Sequence, residues 1–121
     1  MRHLLAITKA LSDATRVRAL LALRQGELCL CQMIRMLGLA PATVSRHIDV
    51  LVRAGLVERR KEGRWCFFRL AGPRAPVEVR RILRWATDLL RNDRVIRDDA
   101  RKLDRLRKVD LKQISACYRG G

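Results

Sequence analysis

Residues 40–60 read APATVSRHIDVLVRAGLVERR, and this stretch decides the fold. Pro41 suits the first turn of a helix, where its missing N–H would have no partner, and Gly55 suits the left-handed residue that ends one. Between these two residues, apolar side chains recur at intervals of three and four, which places them on one helical face. They are Val44, Ile48, Leu51 and Val52. The stretch therefore predicts an amphipathic helix that packs by one face only.

The opposite face of this helix is small at its beginning and polar further on, so its first turn is free to approach a surface. It carries Ala42, Thr43, Arg46, Asp49, Val50 and Arg53, with Ser45 and His47 on its flanks. This layout is typical of a helix that reads the major groove of DNA.

A second short helix precedes the first. Residues 26–38 read GELCLCQMIRMLG, with apolar residues on one helical face and Gly38 at the end. Only two residues separate the two predicted helices. Two short helices joined by a tight turn containing glycine predict a helix-turn-helix, whose second helix enters the groove.

After Gly55 the pattern changes from helix to strand. Two β-prone runs, 56–60 and 65–70, lie on either side of Lys61-Glu62-Gly63-Arg64, and Gly63 suits the positive φ of a short hairpin. The basic residues at this tip are Arg59, Arg60, Lys61 and Arg64. An isolated hairpin of this kind would be a solvated turn, but directly after a reading helix it predicts a wing that touches backbone phosphates.

Further helices are predicted on both sides of this unit. Residues 2–11 allow a short helix that packs on a partner, and Ser12 or Asp13 suits the cap of the next one. After Pro76 comes a helix with a broad apolar stripe, which Asn92 or Asp93 interrupts before a second, narrower stripe.

The charge is extreme for a chain of 121 residues: 27 Lys and Arg against 12 Asp and Glu give a formal net charge of +15. Such a balance favours a polyanionic partner, with nucleic acid ahead of a membrane surface. No apolar run approaches the length of a membrane span, and the N-terminus lacks the features of a signal peptide. The sequence predicts one cytoplasmic domain with no membrane contact.

The four cysteines are thiols if the compartment is reducing. Cys29 and Cys31 are separated by one residue, and paired soft thiolates favour As(III), Sb(III), Cd(II) or Zn(II) over Mg(II) or Ca(II). On a regular helix such residues point about 200° apart, whereas in extended backbone they share a side. A shared ligand therefore requires extended or unwound backbone before Met33.

An enzyme is not expected. The sequence shows no paired carboxylates, no nucleophile with a nearby base and no phosphate-binding glycine loop, and its two histidines are far apart.

With these elements in place, the chain resembles the ArsR/SmtB family of winged-helix metalloregulatory repressors over roughly residues 4–70. The pieces that carry the resemblance are LSDATRVRALLAL, GELCLCQMIRMLGL and TVSRHIDVLVRAGLVERRKEGRWCFFRL. It implies a mainly α fold with a small β-hairpin, a winged helix-turn-helix with N- and C-terminal dimerisation helices. It also implies a homodimer that binds an imperfect palindrome in operator DNA and releases it when an inducer binds. We expect the DNA-binding and dimerisation domain in residues 1–92, and a helical extension with a flexible tail in 93–121.

The resemblance also implies DNA contacts. Thr43, Ser45, Arg46 and His47 match the family's DNA-facing positions, and Arg64 matches its wing base. Three more residues are predicted to contact DNA from their position in the chain: Arg53 on the helix, and Arg60 and Lys61 on the wing. The chain departs from the family at residues 40–42, where relatives usually carry a serine or similar cap, and this affects which bases are read.

For the inducer, ELCLC resembles the motif of the family's arsenic and antimony sensors, which implies Cys29 and Cys31 as ligands. The motif often continues to a third cysteine at the position that Ile34 occupies here, so Cys117 is our candidate third ligand, in cis or across the dimer. Cys66 is predicted to be a buried core thiol. We expect no resident cofactor and an As(III) or Sb(III) inducer, with Cd(II) or Zn(II) as alternatives.

Two other functions stay open. The chain is alternatively a repressor that senses oxidation of its thiols, or a constitutive basic DNA-binding protein without an inducer.

Overall fold

The computed structural model describes residues 1–116, so Cys117 lies outside the described residues. The helices are α1 (Arg2–Leu11), α2 (Ala14–Ala22), α3 (Leu30–Leu37), α4 (Pro41–Arg53), α5 (Val77–Leu89), α6 (Arg94–Leu106) and α7 (Leu111–Ala116). A 3₁₀ turn (Leu23–Gln25) extends α2. The strands are β1 (Leu28–Cys29), β2 (Val57–Glu62) and β3 (Trp65–Leu70). The mainly α fold with a small hairpin is confirmed.

Helices α3 and α4 form the predicted helix-turn-helix. Gly38 ends α3 in the left-handed conformation with φ 68°, and Pro41 stands at the start of α4. Gly55 follows α4 with φ 78°, as its position predicted. The apolar face of α4 is buried through Val44, Ile48 and Leu51. This burial fixes which side of α4 faces outward.

The three strands form one antiparallel sheet in the order β1-β3-β2. The β2–β3 hairpin is the wing. Strand β2 runs two residues further than predicted, because Lys61 pairs with Cys66 and Glu62 with Trp65. Only Gly63 and Arg64 are left for the turn, and Gly63 supplies its positive φ of 58°.

Strand β1 was not predicted. It is two residues long, with Leu28 paired to Phe68 and Cys29 paired to Phe67. A strand this short has no alternation to detect, and only its pairing with β3 defines it. Through this pairing, the first cysteine is part of the wing's own sheet.

Helix α6 packs against α2 and α3 rather than standing apart from the domain. Ile96 and Leu103 join the main hydrophobic core, and Asp93 caps the helix by accepting the N–H of Ile96. Asp99 of α6 is buried and accepts two hydrogen bonds of 2.9 Å from the Arg18 guanidinium on α2. This pair fixes the C-terminal segment onto the N-terminal half.

We expect Asp99→Ala to lower the free energy of unfolding by about 3 kcal/mol, because it leaves the partly buried Arg18 charge without its partner. Urea denaturation followed by circular dichroism measures the change. Asp98→Ala is the control, since Asp98 is exposed and pairs with the exposed Arg101. Equal losses for the two variants would contradict a structural role for the Arg18–Asp99 pair.

Large apolar side chains remain exposed on α1 and α5. Leu4 and Leu5 on α1, and Trp85 and Leu89 on α5, each keep more than half of their surface accessible. Exposed apolar residues on two helices that flank the reading unit indicate a protein contact. Across residues 1–116, no helix is long and apolar enough to cross a membrane.

Candidate DNA-reading surface and thiol site

The outward face of α4 presents the predicted polar residues. Ser45 and Arg46 are exposed, and Thr43 is half-buried. The Arg46 guanidinium is 3.5 Å from the Thr43 hydroxyl, a long contact that leaves its donors available. The start of α4 has no side-chain cap, as the alanine at position 40 predicted. Ala40 therefore accepts no hydrogen bond from the first N–H groups of α4 through a side chain. N–H groups at the start of a helix are suited to bind a phosphate.

His47 is half-buried against the start of α2. Its Nδ1 lies 3.2 Å from Arg16 Nη1, and because arginine only donates, this contact needs an unprotonated Nδ1. Arg16 also donates to the carbonyls of Lys9 and Ala10 at the end of α1. His47 thus links the reading helix to the α1–α2 corner, a contact that spacing alone did not indicate.

The basic residues of the wing fall into two groups. Lys61 and Arg64 are exposed at the tip. Arg60, in contrast, donates to Glu27 at 2.6 and 3.1 Å and to Glu62 at 3.1 Å, and lies 4.6 Å above the Phe67 ring. Hydrogen bonds to these carboxylates raise the pKa of Arg60, so it keeps its charge. Arg60 is thus paired with carboxylates of the protein and remains partly exposed, whereas Lys61 and Arg64 are exposed at the tip of the hairpin.

Asp49 connects α4 to the wing. It accepts from Arg53 at 3.1 Å one helical turn later and from Arg59 of β2 at 2.9 Å. Arg53 nevertheless keeps most of its side chain exposed. Asp49 thus forms ion pairs both within α4 and between α4 and β2.

Cys29 and Cys31 lie together at the junction of strand and helix. Cys29 has extended backbone, with φ −73° and ψ 148°, and Cys31 is the second residue of α3. Their Sγ atoms are 3.0 Å apart, and both thiols are free. The extended backbone that a shared ligand requires is therefore found at Cys29. We refer to this pair as the dithiol.

The backbone at the dithiol is held by a buried glutamine. The N–H of Cys29 donates to Oε1 of Gln32 at 2.8 Å, across the first turn of α3. Sequence reasoning missed this residue, although a glutamine three positions after a helix cap is the recognised signal.

The surroundings of the dithiol are apolar. Cys29 is 2% exposed and Cys31 6%, and Ile114 of α7, also 2% exposed, belongs to the same cluster. The side chains around the dithiol, which we call the apolar cage, are Trp65, Phe67, Leu106, Leu111 and Ile114. Within residues 1–116, no third histidine, cysteine or carboxylate joins the two thiols as a possible metal ligand.

Burial sets the protonation state of the dithiol. Loss of solvent, followed by the hydrogen bond to Cys29, raises the pKa of Cys31 to about 12. At neutral pH this sulfur is a protonated thiol. Because the thiolate is the reactive form, such a cysteine is slow toward alkylating agents and peroxide.

Near pH 8 we expect iodoacetamide to modify Cys31 at least about a hundredfold more slowly in the folded protein than in urea, since the raised pKa reduces the thiolate about a thousandfold. The rate should rise with pH up to about 12. Peptide mass spectrometry after timed quenching measures it, with Cys66 as the internal comparison. Equal folded and unfolded rates would show that the thiol is not protected.

The other two cysteines differ from the dithiol. Cys66 on β3 is half-buried and packs at the edge of the main core, so it is less buried than predicted. The reason is its pairing position opposite the exposed Lys61 near the wing tip. Cys117 lies outside the described residues, three positions after Ile114.

Comparison with known proteins agrees with this geometry. Residues 13–59 match the family model described as "Bacterial regulatory protein, arsR family". The chain is 38% identical over 92 residues to the arsenic resistance transcriptional regulator ArsR1 of Pseudomonas putida, covering 73% of this chain and 71% of that one. It is 34% identical over 112 residues to ArsR2 of the same organism, covering 92% and 95%.

A solved structure shows the same fold. The homodimeric winged helix-turn-helix DNA-binding domain Mb0332 of Mycobacterium bovis superposes with a TM-score of 0.64 at 27% identity. The match covers 77% of this chain and 82% of that one.

Proposed function

Because this chain belongs to the arsR family of bacterial regulatory proteins and is a transcriptional repressor rather than an enzyme, we propose that a trivalent metalloid binds its dithiol and releases it from operator DNA. The observation that carries the proposal is the dithiol itself. Two free sulfurs stand 3.0 Å apart where the wing's sheet meets the helix that supports the reading helix.

The DNA-bound form is a homodimer that places two α4 helices in successive major grooves. The exposed apolar residues of α1 and α5 supply the dimer contact, and Mb0332, which has this fold, is homodimeric. Thr43, Ser45 and Arg46 read bases, with His47 and Arg53 beside them. Lys61 and Arg64 bind phosphates at the wing tip, and Arg60 positions the wing.

Soft sulfur donors suit As(III) and Sb(III) as well as Zn(II) and Cd(II). We favour As(III) or Sb(III), because ArsR1 and ArsR2 of Pseudomonas putida, to which the chain is similar, are arsenic resistance regulators.

Inorganic arsenite reacts without redox change. As(OH)₃ with three thiols gives As(SR)₃ and three waters: each As–O bond is replaced by As–S, and each thiol proton leaves with a hydroxide. The protonated state of Cys31 is therefore no obstacle to this ligand. We assign Cys29, Cys31 and Cys117 as the three sulfurs.

Release follows from where the dithiol lies. Cys29 belongs to β1 and pairs with Phe67 of the wing, while Cys31 belongs to α3, which leads through Gly38 to α4. A ligand that changes the positions of the two sulfur atoms shifts the wing and α3 relative to each other. Coupling between two sites is typically worth about 1–3 kcal/mol, so operator affinity should fall roughly 5- to 150-fold.

Titration of the reduced protein with arsenite, followed by sulfur-to-metalloid absorption in four single Cys→Ser variants, tests the ligand set. Cys29→Ser and Cys31→Ser should lose the absorption, Cys117→Ser should weaken it, and Cys66→Ser should leave it unchanged. Absorption that survives in both Cys29→Ser and Cys31→Ser would refute the proposal. A redox sensor is less favoured, because the pKa of Cys31 keeps that sulfur out of the thiolate form that peroxide attacks.

A further inference from the structure

We propose that Arg16 and His3 are positioning residues that fix α4 to α1 at two points, and that these two contacts specify the distance between operator half-sites that the dimer accepts. The inference rests on the proposed homodimer, since a half-site distance is set by two α4 helices held together. It concerns DNA recognition and involves neither the dithiol nor the inducer.

The first contact joins the middle of α4 to the end of α1 through Arg16 of α2. The Nε of Arg16 donates to the carbonyl of Ala10 at 3.1 Å, and its Nη2 donates to the carbonyl of Lys9 at 2.9 Å. Its Nη1 lies 3.2 Å from Nδ1 of His47 on α4. One planar guanidinium thus serves three acceptors in three directions. The ammonium group of a lysine lacks this fixed fork.

The second contact joins the start of α1 to the end of α4. Nε2 of His3 lies 3.3 Å from the carbonyl oxygen of Ala54, the residue that follows α4. Because a carbonyl oxygen only accepts, Nε2 carries the proton in this contact. The C-terminal end of α4 is therefore held at the N-terminal end of α1.

The two contacts have the same spacing on both helices. Seven residues lead from His3 to Ala10 along α1, and seven lead from His47 to Ala54 along α4. At 1.5 Å per residue, each distance is about 10 Å. The helices pack against each other, and both contribute apolar side chains to the main hydrophobic core, namely Ile7, Ala10, Val44 and Ile48. Two contacts at matched spacing fix the direction of α4 relative to α1 as well as its position.

The helix that holds α4 also carries part of the proposed dimer contact. Leu4 and Leu5 of α1 are exposed, and in the homodimer they contact the partner subunit. In a two-fold symmetric dimer, the separation of the two α4 helices then follows from how α4 is fixed to α1. Each α4 must meet the major groove of its own half-site, so this separation selects the half-site distance. Arg16 and His3 therefore act on DNA recognition without touching DNA.

The test uses full-length reduced protein without inducer, its selected operator, and duplexes with one base pair inserted or removed between the half-sites. One base pair moves the second half-site by about 3.4 Å and rotates it by about 35°. Anisotropy gives the spacing ratio, which is the affinity for the original operator divided by that for the altered one. We expect a spacing ratio of at least about ten for the wild type. Arg16→Lys keeps the charge but loses the fork, so its ratio should be no more than about three.

Three further variants separate positioning from charge and from direct DNA contact. Lys9→Gln is the matched control, because it removes a charge from α1 and leaves the Lys9 carbonyl in place for Arg16; it should keep the wild-type ratio. His47→Asn keeps an acceptor at the position of Nδ1 and should keep the ratio, whereas His47→Leu should lose it. A contact of His47 with DNA would weaken binding at every spacing and cancel in the ratio.

Sedimentation and circular dichroism establish that each variant is a folded dimer at the assay concentration. If Arg16→Lys is not, His47→Leu and His3→Leu make the same comparison. A wild-type ratio retained in the folded Arg16→Lys, His47→Leu and His3→Leu proteins would overturn the inference. A wild type that binds all spacings equally would also overturn it, and would leave release by arsenite unaffected. A wild type that binds its operator only as a monomer would contradict the proposed function as well.

Discussion

Replacing Cys29 and Cys31 together by serine is expected to keep the protein on its operator at arsenite concentrations that release the wild type. Serine preserves the size of each side chain, but its hydroxyl is a poor ligand for a soft centre. The full coupling, roughly 5- to 150-fold in operator affinity, should therefore disappear. Anisotropy of a labelled duplex, selected from random sequence by the protein itself, measures the loss.

The control for this variant is Cys66→Ser, which replaces a half-buried thiol on the wing outside the dithiol cluster. It should respond to arsenite as the wild type does. Two buried hydroxyls lower stability by about 1–3 kcal/mol each, so circular dichroism must show both variants folded at the temperature of the assay. A serine pair that still releases DNA would place the inducer elsewhere.

Arg46→Ala should produce the second large effect, a loss of specific operator binding. A two-pronged arginine–guanine contact is worth about 1–3 kcal/mol of discrimination. A homodimer loses it twice, or about 2–6 kcal/mol, which corresponds to roughly thirtyfold to twenty-thousandfold in affinity. Arg46 is exposed on the outer face of α4 and makes a long contact with Thr43, so its removal should not disturb folding.

Arg101→Ala on α6 removes the same charge from a position paired with Asp98 and away from α4, and should change operator affinity little. Measuring affinity for a scrambled duplex as well distinguishes the loss of a base contact from the loss of a phosphate contact. If specific and scrambled duplexes lose affinity equally, Arg46 binds phosphate and not a base. If neither changes, α4 does not face the DNA as proposed.

The elements that the sequence predicted well are those with local signals. Pro41, Gly55 and the spacing of Val44, Ile48 and Leu51 define α4 within one short segment, and all three kinds of signal reappear in the structure. The wing was predicted from Gly63 and two β-prone runs, with an error of two residues in the position where β2 ends. Local backbone preferences and periodicity determine such features.

The features that the sequence did not predict depend on residues far apart in the chain. Ile114 belongs to the same buried cluster as Cys29, although 85 positions separate them in the chain. Glu27 and Arg60, 33 positions apart, form an ion pair that neither neighbourhood suggests. The position of Arg60 on the wing predicts a DNA contact, and the fold adds that its guanidinium is paired with Glu27 and Glu62 and lies over the Phe67 ring.

The candidate site depends both on local signals and on contacts between residues far apart in the chain. The requirement that Cys29 and Cys31 share a side led to extended backbone before Met33, and Cys29 meets it. The apolar cage, in contrast, brings side chains of β3, α6 and α7 together around the two cysteines, and no single segment carries its pattern. The sequence predicted which cysteines form the pair, but it did not predict that other side chains bury them.

The most direct test of the central claim follows absorption at the sulfur–metalloid bonds and anisotropy of the bound operator together in one arsenite titration. We predict that DNA release tracks occupation of the dithiol, saturating at one arsenic per subunit, and that Cys29→Ser, Cys31→Ser protein shows neither signal. Release without absorption, or full absorption with the operator still bound, would contradict the claim that the dithiol controls DNA binding.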